Sequence, residues 1–207
     1  MLDRKAHWEN IYQTKSLQEV SWYQPVPETS LQFLAENNIP KNAAIIDIGG
    51  GDSFLADNLL DLGYTDITVL DISENALNRA KTRLGERASM VKWIVTDVSA
   101  FVPDRQYDVW HDRAAFHFLR DSDEINYYVN MLKKYVTKGG FVFIGTFSEQ
   151  GPTKCSGIEI HQYSEQDLST LIADKFKKLK CIYTDHLTPF NTIQSFIFCG
   201  FKHLLAS

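Results

Sequence analysis

The sequence predicts an α/β protein built on a doubly wound, mostly parallel sheet. Short apolar runs, of the length of strands buried on both faces, alternate with segments of helical periodicity. A glycine turn follows the first run directly, and an acidic residue closes the second. With 207 residues and 44% hydrophobic content, the chain can bury the core of one substantial domain, so we expect a single domain over residues 1–207.

Residues 43–72 form the unit around which the chain is organised. An apolar strand over 43–48 runs into a turn of three glycines, Gly49 to Gly51, whose missing Cβ atoms let the backbone bend sharply and approach a ligand. A helix follows, and the unpaired N–H groups of its first turn face the same place. The next strand ends at Asp71. Such a unit is typical of a nucleoside-binding half of a doubly wound sheet.

The spacing of the glycines separates the possible nucleoside ligands. A dinucleotide fingerprint needs a glycine three residues after Gly51, where this chain has Phe54. Asp47, Gly49 and Gly51 stand instead at alternating positions, with Ser53 next in the series. This pattern resembles motif I of the class I S-adenosylmethionine (SAM)-dependent methyltransferases, Asp/Glu-x-Gly-x-Gly-x-Gly, with serine replacing the last glycine. An ordinary glycine loop is the alternative interpretation of the three glycines taken alone.

The resemblance implies a fold and a cofactor. The fold is a Rossmann-like sheet of seven strands in the order 3-2-1-4-5-7-6, with the last strand antiparallel and helices on both faces. The cofactor is SAM, and the product is S-adenosylhomocysteine (SAH). In that family the acidic residue that closes the second strand holds the ribose hydroxyls, and Asp71 matches it. Asp97, after a third strand predicted over 91–95, matches the residue that bonds the adenine amine, although a turn cap is the alternative. The implied cofactor contacts are Asp47, Gly49, Gly50, Gly51, Asp71, Ile72, Asp97, Val98 and His111.

The front of the chain, residues 1–27, is rich in aromatic side chains. Trp8, Tyr12 and Trp22 precede the first strand, and as a set they resemble the N-terminal flap that closes over SAM in many class I methyltransferases. We therefore expect these three residues to line the substrate side of the site. Simple packing on the domain surface is the alternative for each of them.

The second informative stretch is His111-Asp112-Arg113, which follows a fourth strand predicted over 107–110. Ligands of open α/β sheets bind at the carboxyl ends of the strands, and three ionisable side chains in a row suit core packing poorly. We expect His111 and Asp112 to act as general base or to orient the acceptor. Arg113 is predicted to clamp a carboxylate, either that of SAM or that of an acidic substrate. The stretch also resembles the loop after strand four in the thiopurine methyltransferase group.

A polar loop over 148–163 is predicted to leave the fifth strand where a substrate lid would lie. His161 and Tyr163, with Cys155, are candidate substrate contacts in it, although such a loop is often only a connection. His117, which lies between two phenylalanines, is a further substrate candidate or a satisfied core histidine. The remaining predicted helices cover 2–15, 28–37, 73–84, 123–137 and 164–174. Ser73 and Ser122 are the expected N-caps of the third and fourth of these, and Lys138-Gly139-Gly140 is expected to end the fourth. The remaining strands cover 141–147, 176–184 and 192–201, the last two as an antiparallel hairpin.

Composition argues against several classes of protein. A net charge of −5 disfavours nucleic-acid binding through a broad basic surface. Three cysteines without paired spacing suit a reducing compartment and offer no metal site. The chain opens on charged residues and has no apolar run near the roughly 18 residues that a membrane span needs, so we expect neither a signal peptide nor a membrane anchor. The expectation is a cytoplasmic monomer or homodimer.

The predicted function is methyl transfer from SAM to an oxygen, nitrogen or sulfur atom of a small molecule. A protein-lysine methyltransferase is the alternative within the enzyme class, and a non-catalytic module that binds SAM or a nucleotide is the alternative outside it. An NAD-dependent oxidoreductase is disfavoured by Phe54. A protein substrate should leave an exposed groove beside the 148–163 loop, whereas a small molecule should be enclosed by it.

Overall fold

Residues 3–205 are the part of the chain that the structure, a computed structural model, describes. Leu2, which the sequence places in the first helix, lies outside that part. The chain divides into two compact units by its internal contacts. The first unit runs up to Phe101 and includes Thr188–Thr192, and the second comprises Val102–Leu187 and the chain from Ile193 onwards. The expectation of one domain over the whole chain stays a prediction.

The first unit is a parallel sheet with helices between its strands. β2 pairs with both β1 and β3 in parallel, so the order within the unit is β3-β2-β1. All five residues of β1 are buried, which explains why its sequence is almost wholly apolar. Its helices are α1 (Arg4–Thr14), α2 (Glu28–Glu36), α3 (Leu55–Asp61) and α4 (Glu74–Leu84), and its strands are β1 (Ala44–Ile48), β2 (Asp66–Asp71) and β3 (Val91–Val95).

In the second unit, four strands form one sheet with one parallel and two antiparallel pairs. β5 pairs with β4 in parallel and with β9 antiparallel, and β8 pairs with β9 antiparallel. The order within this unit is therefore β4-β5-β9-β8. Its strands are β4 (Tyr107–Arg113), β5 (Val136–Phe147), β6 (Lys154–Cys155), β7 (Ile158–Glu159), β8 (Phe176–Leu187) and β9 (Ile193–His203), and its helices are α5 (Ser122–Tyr135) and α6 (Glu165–Ile172).

The predicted fold class is confirmed. The two orders, β3-β2-β1 and β4-β5-β9-β8, follow the predicted 3-2-1-4-5-7-6 within each unit, because a small hairpin of β6 and β7 shifts the numbering of the last two strands. The third strand has the predicted bounds, and Ser73 caps α4 by accepting from the Ala76 N–H at 3.1 Å, as expected.

The fourth strand is longer than predicted. The sequence places His111, Asp112 and Arg113 in a loop after residue 110, but all three are strand residues that pair with 143–145 of β5. His111 and Asp112 are buried. Continued parallel pairing explains the difference, since a strand covered on both faces need not show the alternation that marks an exposed one.

The boundary between α5 and β5 also differs from the prediction. Asp121, rather than Ser122, caps α5 by accepting from the Asp123 N–H at 2.8 Å. The helix ends at Tyr135, so the Lys138-Gly139-Gly140 segment lies inside β5 rather than closing the helix. The β4–β5 register shifts between Tyr107 and Val109, and the extra residues of β5 are taken up there.

The interpretation of the cysteines as reduced thiols is wrong for two of them. Cys181 of β8 and Cys199 of β9 form a disulfide. The antiparallel register sets these residues directly opposite each other, with their Cα atoms 4.2 Å apart. Their separation of 18 residues gives no sign of this, because register is decided by pairing of the whole hairpin. Within residues 3–205, no helix has the length and apolar character needed to cross a membrane.

Candidate functional site

The glycine turn after β1 leaves no room for side chains. A Cβ on Gly50 would overlap the carboxylate of Asp47 and lie 2.7 Å from Cγ1 of Val69. Asp47 itself is buried beneath the turn. The predicted motif therefore has a packing reason at Gly50, and the backbone of the turn is left as the surface that a ligand can approach.

Two polar side chains converge above Gly51. This residue has a φ of +48°, and a Cβ on it would lie 2.8 Å from the hydroxyl oxygen of Tyr12 and 3.0 Å from Oδ2 of Asp71. The geometry brings together the glycine turn, the acidic end of β2 and one of the three predicted flap aromatics. Their hydroxyl and carboxylate are groups that can hydrogen-bond the polar edge of a nucleoside.

The carboxyl group of Asp71 is buried at the end of β2. It accepts a hydrogen bond from the Ser73 N–H at 2.8 Å. Burial, with the negative charges of Asp47 and Glu9, raises the pKa of Asp71 to about 7, although backbone N–H groups of Ser73 and Gly51 act in the opposite direction. Near neutral pH this group therefore exists in both protonation states, and a ligand that donates hydrogen bonds would favour the ionised one.

The three flap aromatics pack on one another. The ring centroids of Trp8 and Trp22 are 5.7 Å apart, those of Tyr12 and Trp22 are 6.1 Å apart, and those of Trp8 and Tyr12 are 6.3 Å apart. All three side chains are half-buried. The three rings thus form one cluster, and Tyr12 in addition reaches the glycine turn.

Two residues that the sequence did not single out hold α1 against α4. The carboxylate of Glu9 accepts from the Ser73 hydroxyl at 2.9 Å and from the Glu74 and Asn75 N–H groups at 2.8 and 3.0 Å. Arg79 of α4 donates to the Tyr12 carbonyl at 3.0 Å. These partners lie 64 or more residues apart, so no local pattern could have identified them.

A third link continues from the glycine turn into α4. Asp52, directly after the turn, is buried and forms ion pairs with Arg79, at 2.8 Å, and with Arg83. Arg83 also pairs with Asp57 of α3 at 2.9 Å. The turn is thereby attached to two helices, which keeps its backbone N–H groups in place.

A cleft of about 460 Å³ lies beside the end of β3. Asp97 caps the turn that follows, accepting from the Ser99 N–H at 2.9 Å, and its other oxygen pairs with Arg4 at 3.1 Å. The turn-cap alternative is thus observed for Asp97, while Val98 lies in the capped turn. The cleft is lined by Asp3, Arg4, Lys5, Ile72, Val95, Thr96 and Asp97.

In the second unit, Asp112 is a fully buried hydrogen-bond acceptor. Its Oδ1 accepts from the Ala115 and Phe116 N–H groups at 3.0 and 3.1 Å, and its Oδ2 accepts from the Tyr128 hydroxyl at 2.7 Å. Trp110 Nε1 in turn donates to the Tyr128 oxygen at 3.0 Å. Burial raises the pKa of Asp112 to about 6 against these hydrogen bonds. This carboxylate organises the turn after β4.

His111 and Arg113 flank Asp112 on the same strand. The His111 ring stacks on Phe143, its partner across the β4–β5 pair, with centroids 5.6 Å apart. The guanidinium of Arg113 lies 5.6 Å from the centre of the Phe196 ring. Ala114 then takes a φ of +65°, unusual for a residue with a Cβ, and reverses the chain after the strand.

Three further polar side chains are buried near the carboxyl end of β4 and β5. His117 is 0% exposed, Tyr163 is 2% exposed and Cys155 is 6% exposed. His117 Nε2 and the Tyr163 hydroxyl have no hydrogen-bond partner among the described residues. Burial and the charge of Arg113 lower the pKa of His117 to about 3, and burial raises the pKa of Cys155 to about 11. All three groups are therefore neutral near pH 7.

The predicted lid is anchored at several points. The His161 N–H donates to the His117 carbonyl at 2.8 Å, and the Tyr163 N–H donates to the Phe147 carbonyl at 3.1 Å. Residues 154–159 form the β6–β7 hairpin. The His161 side chain is exposed and stacks on Tyr163 at 4.4 Å, so it lies on the outer side of the segment.

Comparison with known proteins gives this arrangement a family context. Residues 45–140 match a family described as a methyltransferase domain. The eEF1A lysine and N-terminal methyltransferase of Mus musculus is 30% identical over 121 residues, covering 58% of this chain and 17% of that protein. Malonyl-[acyl-carrier protein] O-methyltransferase 2 of Ilyobacter polytropus is 24% identical over 146 residues, covering 65% of this chain and 55% of that protein. The chain thus spans less than two thirds of either relative.

Solved structures share the fold over nearly the whole chain. A protein that converts a disulfide bond into a thioacetal group in echinomycin biosynthesis superposes with a TM-score of 0.78 at 18% identity, covering 98% of this chain and 94% of that one. The Burkholderia thailandensis 1,6-didemethyltoxoflavin-N1-methyltransferase, solved with its substrate and SAH, gives 0.70 at 16% identity, covering 97% and 87%. At these identities the likeness concerns the fold.

Proposed function

We propose, on the premise that the chain belongs to the class I SAM-dependent methyltransferases, that it transfers the methyl group of SAM to a small-molecule acceptor and releases SAH. The acceptor atom is an oxygen, nitrogen or sulfur.

The glycine turn and Asp71 support the cofactor assignment. A ribose would place its two hydroxyls on the Asp71 carboxylate, beside the Tyr12 hydroxyl and above Gly51. Asp47, Gly49 and Gly50 would shape the turn from below. Asp97, Val98 and Ile72 would then flank the adenine in the cleft beside β3. The Asp97 carboxylate would accept from the adenine amine in addition to its ion pair with Arg4.

The observation that carries the choice of a small molecule is the enclosure of the acceptor side. Tyr163, His117 and Cys155 are all less than a tenth exposed. Within the described segment 148–163, no large hydrophobic side chain is exposed. A protein substrate would need an open apolar or acidic groove at this place, whereas buried polar side chains suit a small molecule that is surrounded when bound.

Methyl transfer depends mainly on the alignment of the acceptor atom, the methyl carbon and the sulfur. Methyl transfer is an in-line displacement in which the acceptor atom attacks the methyl carbon while the carbon–sulfur bond breaks and the sulfonium loses its charge. Holding the three atoms in line is worth up to about 7 to 11 kcal/mol of the barrier. A protonated acceptor must also lose a proton, and we assign this role to His111. Asp112 is the weaker candidate for general base, because its oxygens already accept three hydrogen bonds from protein groups.

A protein-lysine methyltransferase is the second candidate, favoured by one specific finding. The mouse relative is 30% identical, and EEF1A lysine methyltransferase 2 of Danio rerio is 26% identical over 164 residues, covering 69% of this chain and 68% of that protein. Those names describe lysine acceptors in the relatives. For this chain, the aromatic flap of Trp8, Tyr12 and Trp22 would also suit an alkyl-ammonium group.

One experiment separates these candidates. The protein would be incubated with methyl-labelled SAM and with separated small-molecule and protein fractions of the source cell. We expect label in the small-molecule fraction. Label in protein only would favour the lysine alternative, and SAM binding without any transfer would favour a non-catalytic module.

The role of His111 has its own test. His111→Ala should slow methyl transfer far more than it weakens SAM binding, since a base acts in the transition state. His186→Ala, on β8, serves as the matched control. Equal losses of transfer and binding in His111→Ala would indicate a cofactor contact instead.

A further inference from the structure

The Cys181–Cys199 disulfide joins two strands of the second unit that differ sharply in burial. β9 carries Cys199, has eight of its eleven residues buried, and pairs on its other side with β5. β8 carries Cys181 and is the edge strand of the unit, with Phe176 as the one buried residue among its twelve. The core therefore holds β9 in place, whereas β8 depends on its pairing with β9 and on the disulfide.

Residues 180–187 of β8, the segment that contains Cys181, bury little apolar surface. Tyr183 and Leu187 are both more than half exposed, although their side chains are large and hydrophobic. The attachment of this segment to β9 therefore gains little from the hydrophobic effect, and the covalent link contributes a larger share of it. A strand segment with few buried apolar groups is also one that opens locally at a low cost in free energy.

A buried residue stands on each side of this segment. The pairing with β9 shifts by one residue between Lys178 and Lys180, and before that shift Phe176 is buried. Directly after the segment, Thr188 is buried as well. An opening of the edge strand would thus be confined to residues 180–187 and would leave the inner strands paired.

The two cysteines differ in their access to solvent. Cys199 is fully buried and Cys181 is half-buried, so a thiolate from solvent attacks the sulfur of Cys181. The S–S bond then breaks, and the Cys199 sulfur leaves with the bonding electron pair and takes up a proton. The second thiol of a dithiol reductant next displaces the Cys181 sulfur, which is protonated in turn. The protein gains two electrons and two protons, and the dithiol becomes a disulfide.

We propose that the Cys181–Cys199 pair is a redox switch: a dithiol reductant opens the disulfide in the folded protein, and residues 180–187 then open away from β9. A small disulfide reverses the reaction by the same exchange chemistry. Cys155, which is buried and free, is not part of the pair. The inference goes beyond methyl transfer and does not depend on it, since it involves no cofactor or acceptor.

Hydrogen exchange of the folded protein before and after treatment with dithiothreitol tests the switch. A link between residues 18 apart is worth about a hundredfold against full unfolding, and a local opening recovers part of that factor. Amides of 180–187 should therefore exchange about tenfold faster or more once the protein is reduced. Amides of β4 and β5 should keep their rates, and glutathione disulfide should restore slow exchange at 180–187.

Thiol labelling establishes whether the reductant reaches the pair without unfolding the protein. The folded protein is treated with dithiothreitol in buffer without denaturant and quenched with acid. It is then denatured, alkylated and digested for mass spectrometry. Cys181 and Cys199 should be labelled after this treatment and unlabelled without it, whereas Cys155 should be labelled in both samples.

Variants assign the effect to the disulfide. Cys181→Ala should show fast exchange at 180–187 with and without dithiothreitol. Cys155→Ala, which removes the cysteine outside the pair, is the matched control and should respond to dithiothreitol as the wild type does. Because Cys181 is half-buried, its variant tests the switch even where a variant of the buried Cys199 does not fold.

Four outcomes would overturn the inference. Reduction that requires denaturant would make the disulfide a permanent structural link. Unchanged exchange at 180–187 after reduction would mean that strand pairing holds the segment by itself. Faster exchange throughout β4 and β5 would indicate a general loss of stability instead of a local opening. Failure of glutathione disulfide to restore the link would make the change irreversible.

Discussion

At the scale of single residues, Asp71 combines burial with a position above the glycine turn. Its pKa of about 7 in the free protein lies well above the usual value for a carboxyl group. Ribose hydroxyls would donate to the ionised form, so a proton must leave when the cofactor binds at a pH below 7. The titration of this one group therefore connects the electrostatics of the free site to cofactor affinity.

We expect SAM affinity to fall as pH decreases through 7, approaching tenfold per pH unit well below the Asp71 pKa. Asp71→Asn should weaken SAM by about 1.5 to 3 kcal/mol at pH 8, the range for a hydrogen bond to a charged group. It should also lose this part of the pH dependence. Calorimetric titrations at pH 6, 7 and 8 measure both. Parallel pH profiles for the wild type and the variant would contradict the assignment.

Asp112 gives a second residue-scale prediction through its partner Tyr128. Tyr128→Phe removes a donor to the buried carboxylate and leaves the Trp110 N–H without its acceptor, at a cost of about 1.5 to 3 kcal/mol. The lost hydrogen bond stabilised only the ionised form. Because the Asp112 pKa is about 6, the destabilisation should be larger at pH 8 than at pH 5, where the folded protein keeps the carboxyl protonated.

Urea unfolding of Tyr128→Phe and wild type at the two pH values measures this difference. Tyr127→Phe, at an exposed neighbouring tyrosine, is the matched control. A cost that is independent of pH would mean that the Tyr128 hydroxyl contributes through packing or through Trp110 alone.

At the scale of secondary-structure elements, α1 is held to the N-terminus of α4 by Glu9. Its carboxylate accepts hydrogen bonds from the Glu74 and Asn75 N–H groups and from the Ser73 hydroxyl. These bonds lower the pKa of Glu9, although partial burial acts to raise it. A negative charge is also favoured at this end of a helix. Since α1 carries Tyr12 to the glycine turn, this contact connects a helix cap to the proposed cofactor site.

We expect Glu9→Ala to loosen α1 and to weaken SAM binding, without unfolding the sheet. Hydrogen exchange should become faster for amides of Arg4–Thr14, while β1 and β2 keep their protection. Glu19→Ala, which removes an exposed carboxylate that accepts from the Ser16 N–H, is the control. Unchanged exchange in α1 would show that the Arg79 contacts hold the helix without Glu9.

The packing of β5 on β9 depends on a glycine. Gly145 lies opposite Arg113 in the β4–β5 pair, and a Cβ on it would overlap the Phe198 ring. Gly145→Ala should therefore destabilise the protein by about 1 to 3 kcal/mol. Combining it with Phe198→Leu should cost less than the sum of the two single changes, because the smaller side chain makes room. Additive losses in denaturant titrations would place the strain elsewhere.

At the scale of the whole molecule, cofactor binding should appear as added stability. A ligand that binds only the folded protein contributes about 2.7 kcal/mol at 100 times its dissociation constant. For a chain of this size each kcal/mol is worth roughly 2 to 4 °C in Tm. We expect SAM and SAH to raise Tm by several degrees and NADH to leave it unchanged. A comparable shift with NADH would contradict the assignment of the glycine turn to SAM.

Local signals predicted most of the elements. The apolar run of β1, the Ser73 cap and the bounds of β3 each depend on short-range chemistry, so residue types alone indicated them. The spacing of the motif likewise predicted that Asp47, Gly51 and Asp71 lie at one site. These are cases in which neighbours in sequence are also neighbours in space, or in which sheet topology brings strand ends to one edge.

The sequence by itself therefore determined the fold class, the glycine turn and the acidic end of β2. Only the tertiary structure decided that Glu9 and Arg79 hold α1, that Asp112 accepts hydrogen bonds within a buried network, that Cys181 faces Cys199, and that Arg113 lies beside the Phe196 ring. The reason is physical. Each of these contacts joins segments that are distant in the chain, and burial, which sets the protonation of His117 and Asp71, arises only when the whole core has formed.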